Sequence, residues 1–187
     1  SFNNDGGFLL LCNSEGWAPD WSSGNTGTRV RYNISINDGL RNYKIKEHYF
    51  SPVIHCCGPT LNSIIEKNLF ILFRKPDKKI DRTLICLDDW NGYPDSTFFR
   101  ENFIVTEENY NTVILTKSTN TFLENNLYIG KLNDPLHGFT KYTGAFNKSM
   151  WYGNDDGNWQ KLIDFIKDKS VPIRGKEMKV ADLIGLN

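Results

Sequence analysis

The sequence predicts a mainly β fold, an eight-stranded up-and-down antiparallel barrel with one C-terminal α-helix, in a single domain over residues 1–187. Three observations predict it. Apolar and polar residues alternate across 28–50 with the period of a half-buried strand. Short apolar runs recur along the chain between clusters of Gly, Pro, Asn and Asp. Helical spacing is sustained only near the C-terminus, over 159–166. No domain linker or internal repeat is visible.

Taken in order, Gly7-Phe8-Leu9-Leu10-Leu11 is an apolar run bounded by turn residues and reads as a buried strand. Trp17 to Gly27 is rich in Pro, Ser, Gly and Asn and reads as a loop. From Thr28, Val30, Tyr32, Ile34 and Ile36 are placed on one face and Arg29, Arg31, Asn33 and Ser35 on the other. Asn37-Asp38-Gly39 supplies a positive-φ turn, and Tyr43, Ile45 and Tyr49 complete a hairpin. Residues 57–68 read as a short helix begun by Gly58 and Pro59, with Leu61, Ile64 and Ile65 on one face.

Further hairpins follow: 69–74 with 82–87, then 102–106 with 112–117, while 88–101 is turn-rich and Leu127-Tyr128-Ile129 closes the series. Asp155-Asp156-Gly157-Asn158 offers cap residues for a helix carrying Trp159, Leu162, Ile163 and Ile166 at i, i+3, i+4 and i+7. Lys167 and Lys169 suit its C-terminal dipole, and Pro172 ends it.

Lysine plus arginine equals aspartate plus glutamate, 22 each, so the basic excess of a phosphate-backbone binder is absent and no nucleic-acid partner is expected. The longest apolar run, Phe8 to Cys12, is far below the ~20 residues of a transmembrane helix. Asparagine is unusually frequent, at 21 residues, which reads as the mark of an AT-rich coding genome. The four cysteines, Cys12, Cys56, Cys57 and Cys86, are an even set compatible with two disulfides in any of three pairings. They favour a mature protein, secreted or in a vacuolar lumen, with its signal peptide removed. No metal or cofactor is expected: beside His55, the adjacent cysteines 56 and 57 project to opposite faces of a strand and chelate one ion badly.

At residues 102–115 a family resemblance enters. Asn102-Phe103-Ile104-Val105-Thr106-Glu107-Glu108-Asn109-Tyr110-Asn111-Thr112-Val113-Ile114-Leu115 resembles the lipocalin succession of strand, short turn and second apolar strand. Thr106-Glu107-Glu108 stands for the family's Thr-Asp-Tyr, with Tyr110 displaced by two positions. Leu127 to Lys131 is similar to the last lipocalin strand with its basic residue. Leu162 to Asp182 is similar to the helix and trailing segment of apolipoprotein D-like and insect bilin-binding members. Gly6-Gly7-Phe8 stands where the family has Gly-x-Trp, with Phe in place of Trp. The Asn- and Lys-rich composition adds a likeness to malaria-parasite members.

The resemblance implies a secreted carrier of one small apolar ligand, a lipid, bilin or haem-related molecule, linked to haem handling in a parasitophorous vacuole. It also implies a structural cation–π contact in which Lys131 covers Phe8 and closes the barrel floor. Within such a barrel, Tyr32, Ile34, Tyr43, Ile45, Phe73, Phe103 and Val105 are expected to line the ligand pocket. Tyr93, Phe98 and Phe99 would stand at its mouth.

Two other classes compete. His55-Cys56-Cys57-Gly58-Pro59-Thr60 is similar to the nucleophile segment of papain-like cysteine peptidases of the C39 type, with Cys57 at a helix N-terminus and His137 and Asp134 completing a triad. The alternative is a non-catalytic scaffold that forms a homo-oligomer through loop tryptophans Trp17, Trp21, Trp90 and Trp151. Asp88-Asp89 and Asp155-Asp156 read as turn and cap residues.

Overall fold

A computed structural model describes residues 1, 4–13, 25–39, 41, 43–44, 50–73, 82–107, 109–115, 117–133, 135–142, 164, 167–173 and 176–185. The strands follow one another in circuits. The first circuit is β1 (Leu9–Cys12), β2 (Asn25–Thr26), β3 (Arg29–Arg31) and β4 (Ile34–Ile36). The second is β5 (Ile54–Cys57), β6 (Thr60–Leu61), β7 (Ile64–Glu66) and β8 (Leu69–Leu72). The third holds β9 (Thr83–Asp88), β10 (Phe98–Arg100) and β11 (Phe103–Thr106), and the fourth β12 (Tyr110–Leu115), β13 (Phe122–Glu124) and β14 (Asn126–Ile129). β15 (Leu132–Asn133) and β16 (Phe139–Lys141) begin a fifth. A hairpin of β17 (Ser170–Ile173) and β18 (Lys176–Lys179) leads into α1 (Val180–Ile184).

Strands of successive circuits stack in parallel. The first sheet is ordered β1-β5-β9-β12-β15, the second β3-β7-β10-β13 and the third β4-β8-β11-β14-β16. This is a three-sided parallel β-solenoid.

The mainly β expectation holds, but the antiparallel barrel does not: β8 and β9, and β11 and β12, which the expected hairpins would pair, lie in different sheets as successive legs of one coil. So do β3 and β4 within 28–36, while residues 45–49 of the first expected hairpin lie outside the described residues. Alternation in sequence specifies which face a side chain takes and is silent on strand direction. The expected helix at 57–68 is the end of β5, then β6 and β7. Its apolar residues belong to short strands separated by left-handed corners at Gly58 and Asn62 (φ 71° and 54°). A Cβ at Gly58 would run into the Asn13 carbonyl of the circuit below. Trp159, Leu162, Ile163 and Ile166 of the expected C-terminal helix lie outside the described residues, as does Ile45.

One corner holds the circuits in register. Between the second and third sheets the residues Tyr32, Lys67, Glu101 and Asn125 all take positive φ, 59°, 57°, 53° and 51°. Each is followed by an asparagine: Asn33, Asn68, Asn102 and Asn126. The Oδ1 of Asn68, Asn102 and Asn126 each accepts from the backbone N–H and the Nδ2 of its counterpart one circuit earlier. Asn68 donates to Asn102 at 3.0 Å from both groups, and Asn102 donates to Asn126 at 3.1 and 3.0 Å. The remaining Nδ2 protons go to carbonyls of the preceding leg, as from Asn102 to Ile65 O at 3.0 Å. Asn68, Asn102 and Asn126 are fully buried, so the ladder satisfies amides that water cannot reach. Its steps are 35, 34 and 24 residues, which explains why no repeat shows in the sequence.

Side chains inside the coil form the core: Ile54, Cys56, Ile85 and Leu87 from the first sheet, Ile65 and Phe99 from the second, Phe70, Leu72 and Ile104 from the third. Phe8, Phe70, Phe99 and Phe139 contact one another in sequence, with centroids 5.7, 6.1 and 5.9 Å apart. Phe8 is therefore a core stacking residue of the first circuit. Lys131 is exposed at the far end of the coil, and no cation–π pair joins it to Phe8 among the described residues.

A second apolar cluster lies outside the coil. Ile36, Leu69, Ile71, Phe103, Val105, Leu127 and Ile129 pack with Val180, and Met178 adjoins them. The tail entering α1 thus covers the outer face of the third sheet.

Replacing Asn102 by Ala leaves buried donors of Asn68 without an acceptor and removes the bonds to Asn126 and Ile65. We expect a loss of about 2–4 kcal/mol in urea unfolding. Asn33→Ala, at the partly exposed end of the ladder, should cost less; equal losses would contradict the ladder's role.

Candidate functional site

On β5 and β9 the side chains alternate between core and exterior. Ile54 and Cys56 point into the core, so His55 and Cys57 take the outer face. Parallel register sets His55 beside Cys86 and Cys57 beside Asp88, while β1 places Leu10 beside His55 and Cys12 beside Cys57. Four groups with metal-ligating chemistry therefore form a two-by-two patch on two adjacent strands, with a further thiol on a third.

The ligand atoms of His55, Cys86 and Asp88 all lie within 4.8 Å of one another. His55 Nε2 is 3.5 Å from Asp88 Oδ2, at the outer limit of a hydrogen bond, and it is buried without a partner of good geometry. Two aromatic rings wall the imidazole edge-on, Phe50 at 5.7 Å and Trp90 at 5.6 Å. Trp90 itself is half exposed. Asp88 accepts the Asp89 N–H at 2.8 Å. Asp89 turns away from the patch: it accepts from the Gly92 N–H at 3.2 Å and pairs with Lys117 at 3.3 Å. The Gly92 and Lys117 contacts hold its carboxyl below the usual range.

The patch is electrostatically one-sided. Burial first, then the Asp88 carboxylate, pushes the Cys86 thiol up to about 12. Cys57 is likewise raised, by burial, by a hydrogen bond with Cys12 and by the charges of its neighbours, Asp88 among them. Burial lowers the His55 pKa, outweighing the opposite pull of Asp88. These shifts favour the neutral imidazole of His55 and the protonated thiols of Cys57 and Cys86. No lysine or arginine is paired with Asp88 among the described residues. A bound cation would reverse these pressures and favour the thiolates.

The expected site residues are placed differently. Ile34, Phe73, Phe103 and Val105 do come together, in the outer cluster under the tail, where Phe103 and Val105 are fully buried. Tyr32 and Tyr43 are exposed, and a pocket inside a barrel has no barrel to occupy. Tyr32 is a corner residue, with the arginine of Arg31 5.4 Å from its ring. All four cysteines are free thiols. Cys57 is buried on a strand with a raised pKa, the opposite of an activated nucleophile at a helix N-terminus. Of its expected partners, His137 is described and exposed, and Asp134 lies outside the described residues. The sequence reading missed the patch because it weighed neighbours along the chain, and the ligands meet across strands.

No family model, curated protein or solved structure matches this chain, so the lipocalin resemblance gains no support from comparison.

Unfolded, His55 takes up a proton near pH 6.5, and folded it does so only at lower pH. Between those values the unfolded state binds more protons, so His55 makes stability fall as pH drops below about 6.5. Comparing urea midpoints at pH 7.5 and 5.0, His55→Gln should show a shallower acid loss than the wild type. Parallel curves would exclude a neutral, buried His55.

Proposed function

We propose that this protein is a metal-binding β-solenoid whose first sheet holds one zinc-class divalent ion on its outer face, at His55, Cys86 and Asp88. The observation that carries this reading is the convergence of three ligand atoms within 4.8 Å from two register-locked strands. Bond lengths of about 2.0–2.3 Å to N, O and S place tetrahedral zinc ligands roughly 3.3–3.8 Å apart, so side-chain closure of about 1 Å would complete the geometry. Backbone movement is not required, because parallel pairing already fixes β5 against β9.

The donor set selects the ion. One thiolate and one imidazole favour zinc and its softer neighbours, whereas magnesium and calcium require oxygen cages that the patch lacks. The neutral His55 can donate its Nε2 lone pair without first losing a proton at pH 7. Asp88 supplies charge, and Phe50 and Trp90 exclude water from the imidazole. Ion binding would tie the second circuit to the third.

Calorimetric titration of the reduced protein should show one zinc per chain. His55→Ala and Cys86→Ser should each weaken binding by roughly a hundredfold, about 2.8 kcal/mol. Cys56→Ala, on the core side of the same strand, should lower stability and leave zinc affinity unchanged. Equal effects of Cys56→Ala and Cys86→Ser on zinc binding would remove the site from this face.

A further inference from the structure

Three protein ligands leave one position of a tetrahedral ion open, and a second feature of the same face bears on how it is filled. Cys57 is the register partner of Asp88 and shares the outer face with His55, two residues away on the same strand. On its other side it is the register partner of Cys12, and the neighbouring Cys12 thiol helps to push the Cys57 pKa up. Adjacent strands place paired Cα atoms about 4.8 Å apart, inside the roughly 4.4–6.8 Å that a disulfide spans. The Asn13 N–H donates to Cys57 O at 3.1 Å, tying the two strands beside this pair, and the Asn25 side-chain Nδ2 donates to Cys12 O at 2.9 Å. Cys57 is fully buried, whereas Cys12 is partly exposed, so an oxidant meets Cys12 first.

We propose that Cys57 is the fourth ligand of the ion and that a Cys12–Cys57 disulfide withdraws it, making the metal site redox-gated. This rests on the metal-binding reading above. The geometry makes the two states exclusive, because one sulfur cannot bond both to Cys12 and to the ion at full strength. The Cys57 sulfur lies outside the group of atoms that converge within 4.8 Å, so in the reduced state it must turn toward its register partner Asp88 to complete a two-thiolate, one-imidazole, one-carboxylate set. Oxidised, its sulfur is tied toward β1, away from β9.

The chemistry balances with a small-molecule disulfide of the glutathione class as oxidant. The Cys12 thiolate attacks one sulfur of that disulfide and releases one thiol. The Cys57 thiolate then attacks the mixed disulfide at the Cys12 sulfur and releases the second thiol. The protein loses two protons and two electrons, and the oxidant is reduced to two thiols. Cys56 and Cys86 are excluded as partners of Cys57 by placement: Cys56 points into the core, and Cys86 is paired in register with His55.

The test uses the full chain, reduced or treated with oxidised glutathione, with zinc affinity read by competition against a chromophoric chelator and cross-links mapped by peptide mass spectrometry. The expected result is a Cys12–Cys57 link, a fall in zinc affinity of at least about tenfold and full recovery with dithiothreitol. Cys12→Ser should bind zinc as the reduced wild type does and keep that affinity after the same oxidant treatment. Cobalt(II) substitution gives an independent signal: the thiolate-to-metal absorption of the reduced protein should be about halved in Cys57→Ser. A mapped Cys12–Cys57 link with unchanged zinc affinity overturns the gate, as does oxidation that leaves both thiols free to alkylate. If reduced wild type binds no zinc, the metal-binding reading itself fails, and the gate with it. That outcome is told apart by the titration of unoxidised protein alone.

Discussion

Four successive circuits of this chain turn the same corner between their second and third legs, and a buried corner exposes backbone amides that a sheet does not pair. The asparagine ladder answers both demands. A residue in left-handed conformation bends the chain, and the asparagine after it extends the hydrogen bonding of the sheets around the bend through Oδ1 and Nδ2. Because the Oδ1 of Asn68, Asn102 and Asn126 each accepts from both the main-chain and side-chain nitrogens of its counterpart, the circuits can dock in one vertical register. Register is what gives each outer face its composition, since a slip of one residue on any leg would exchange core and solvent positions.

The three outer faces show how differently that one constraint is used. On the second sheet it stacks Arg31, Glu66, Arg100 and Glu124 in alternating charge, and Glu66 Oε2 accepts from Arg100 Nε and Nη2 at 2.9 and 2.8 Å. The nearly buried Glu66 is thereby compensated on the spot. On the third sheet the outer column is apolar, and the tail with Val180 closes over it. The first sheet stacks Leu10, His55 and Cys86 in one outer row and Cys12, Cys57 and Asp88 in the next. There the register brings donors together without a compensating cation among the described residues.

Much of this was legible in the sequence as strands and little of it as a fold. The apolar runs at 69–74 and 102–106 contain β8 and β11, and those at 7–11, 82–87 and 127–129 overlap β1, β9 and β14 to within one residue at an end. The Asn37-Asp38-Gly39 turn also has positive φ at Asn37 and Gly39. What misled was the corner at Tyr32. Treated as part of a continuous strand, it put Val30 on the face of Ile34 and Ile36; Val30 actually packs with the core inside the coil and Ile34 and Ile36 outside it. The frequent asparagines carried the missing signal. Asn33, Asn68, Asn102 and Asn126 build the ladder, and Asn37, Asn62, Asn91, Asn120 and Asn125 take the left-handed conformation that few other residues tolerate. Attributed to coding bias, they said nothing; attributed to backbone geometry, they mark the corners.

The candidate site was illegible for a different reason. A strand segment such as His55-Cys56-Cys57 presents alternate residues to opposite sides, so reading along it correctly separates Cys56 from Cys57 and then finds too few ligands. The missing ones come from a strand a full circuit later, at Cys86 and Asp88, across a distance in sequence that no local spacing rule covers. In a solenoid the relevant neighbour of a residue is the one above it, and its sequence offset depends on how long each loop happens to be. Loop length varies freely here because the corners, not the loops, fix the stacking. The consequence is that chemistry on the outer face can be assembled from single residues on successive circuits, each unremarked in its own segment. The Cys12, Cys57 and Asp88 row has this construction, with one member from each of three circuits. The spacing of those groups is set by the direct parallel pairing of β1, β5 and β9, and the ladder on another edge of the coil stacks the same circuits.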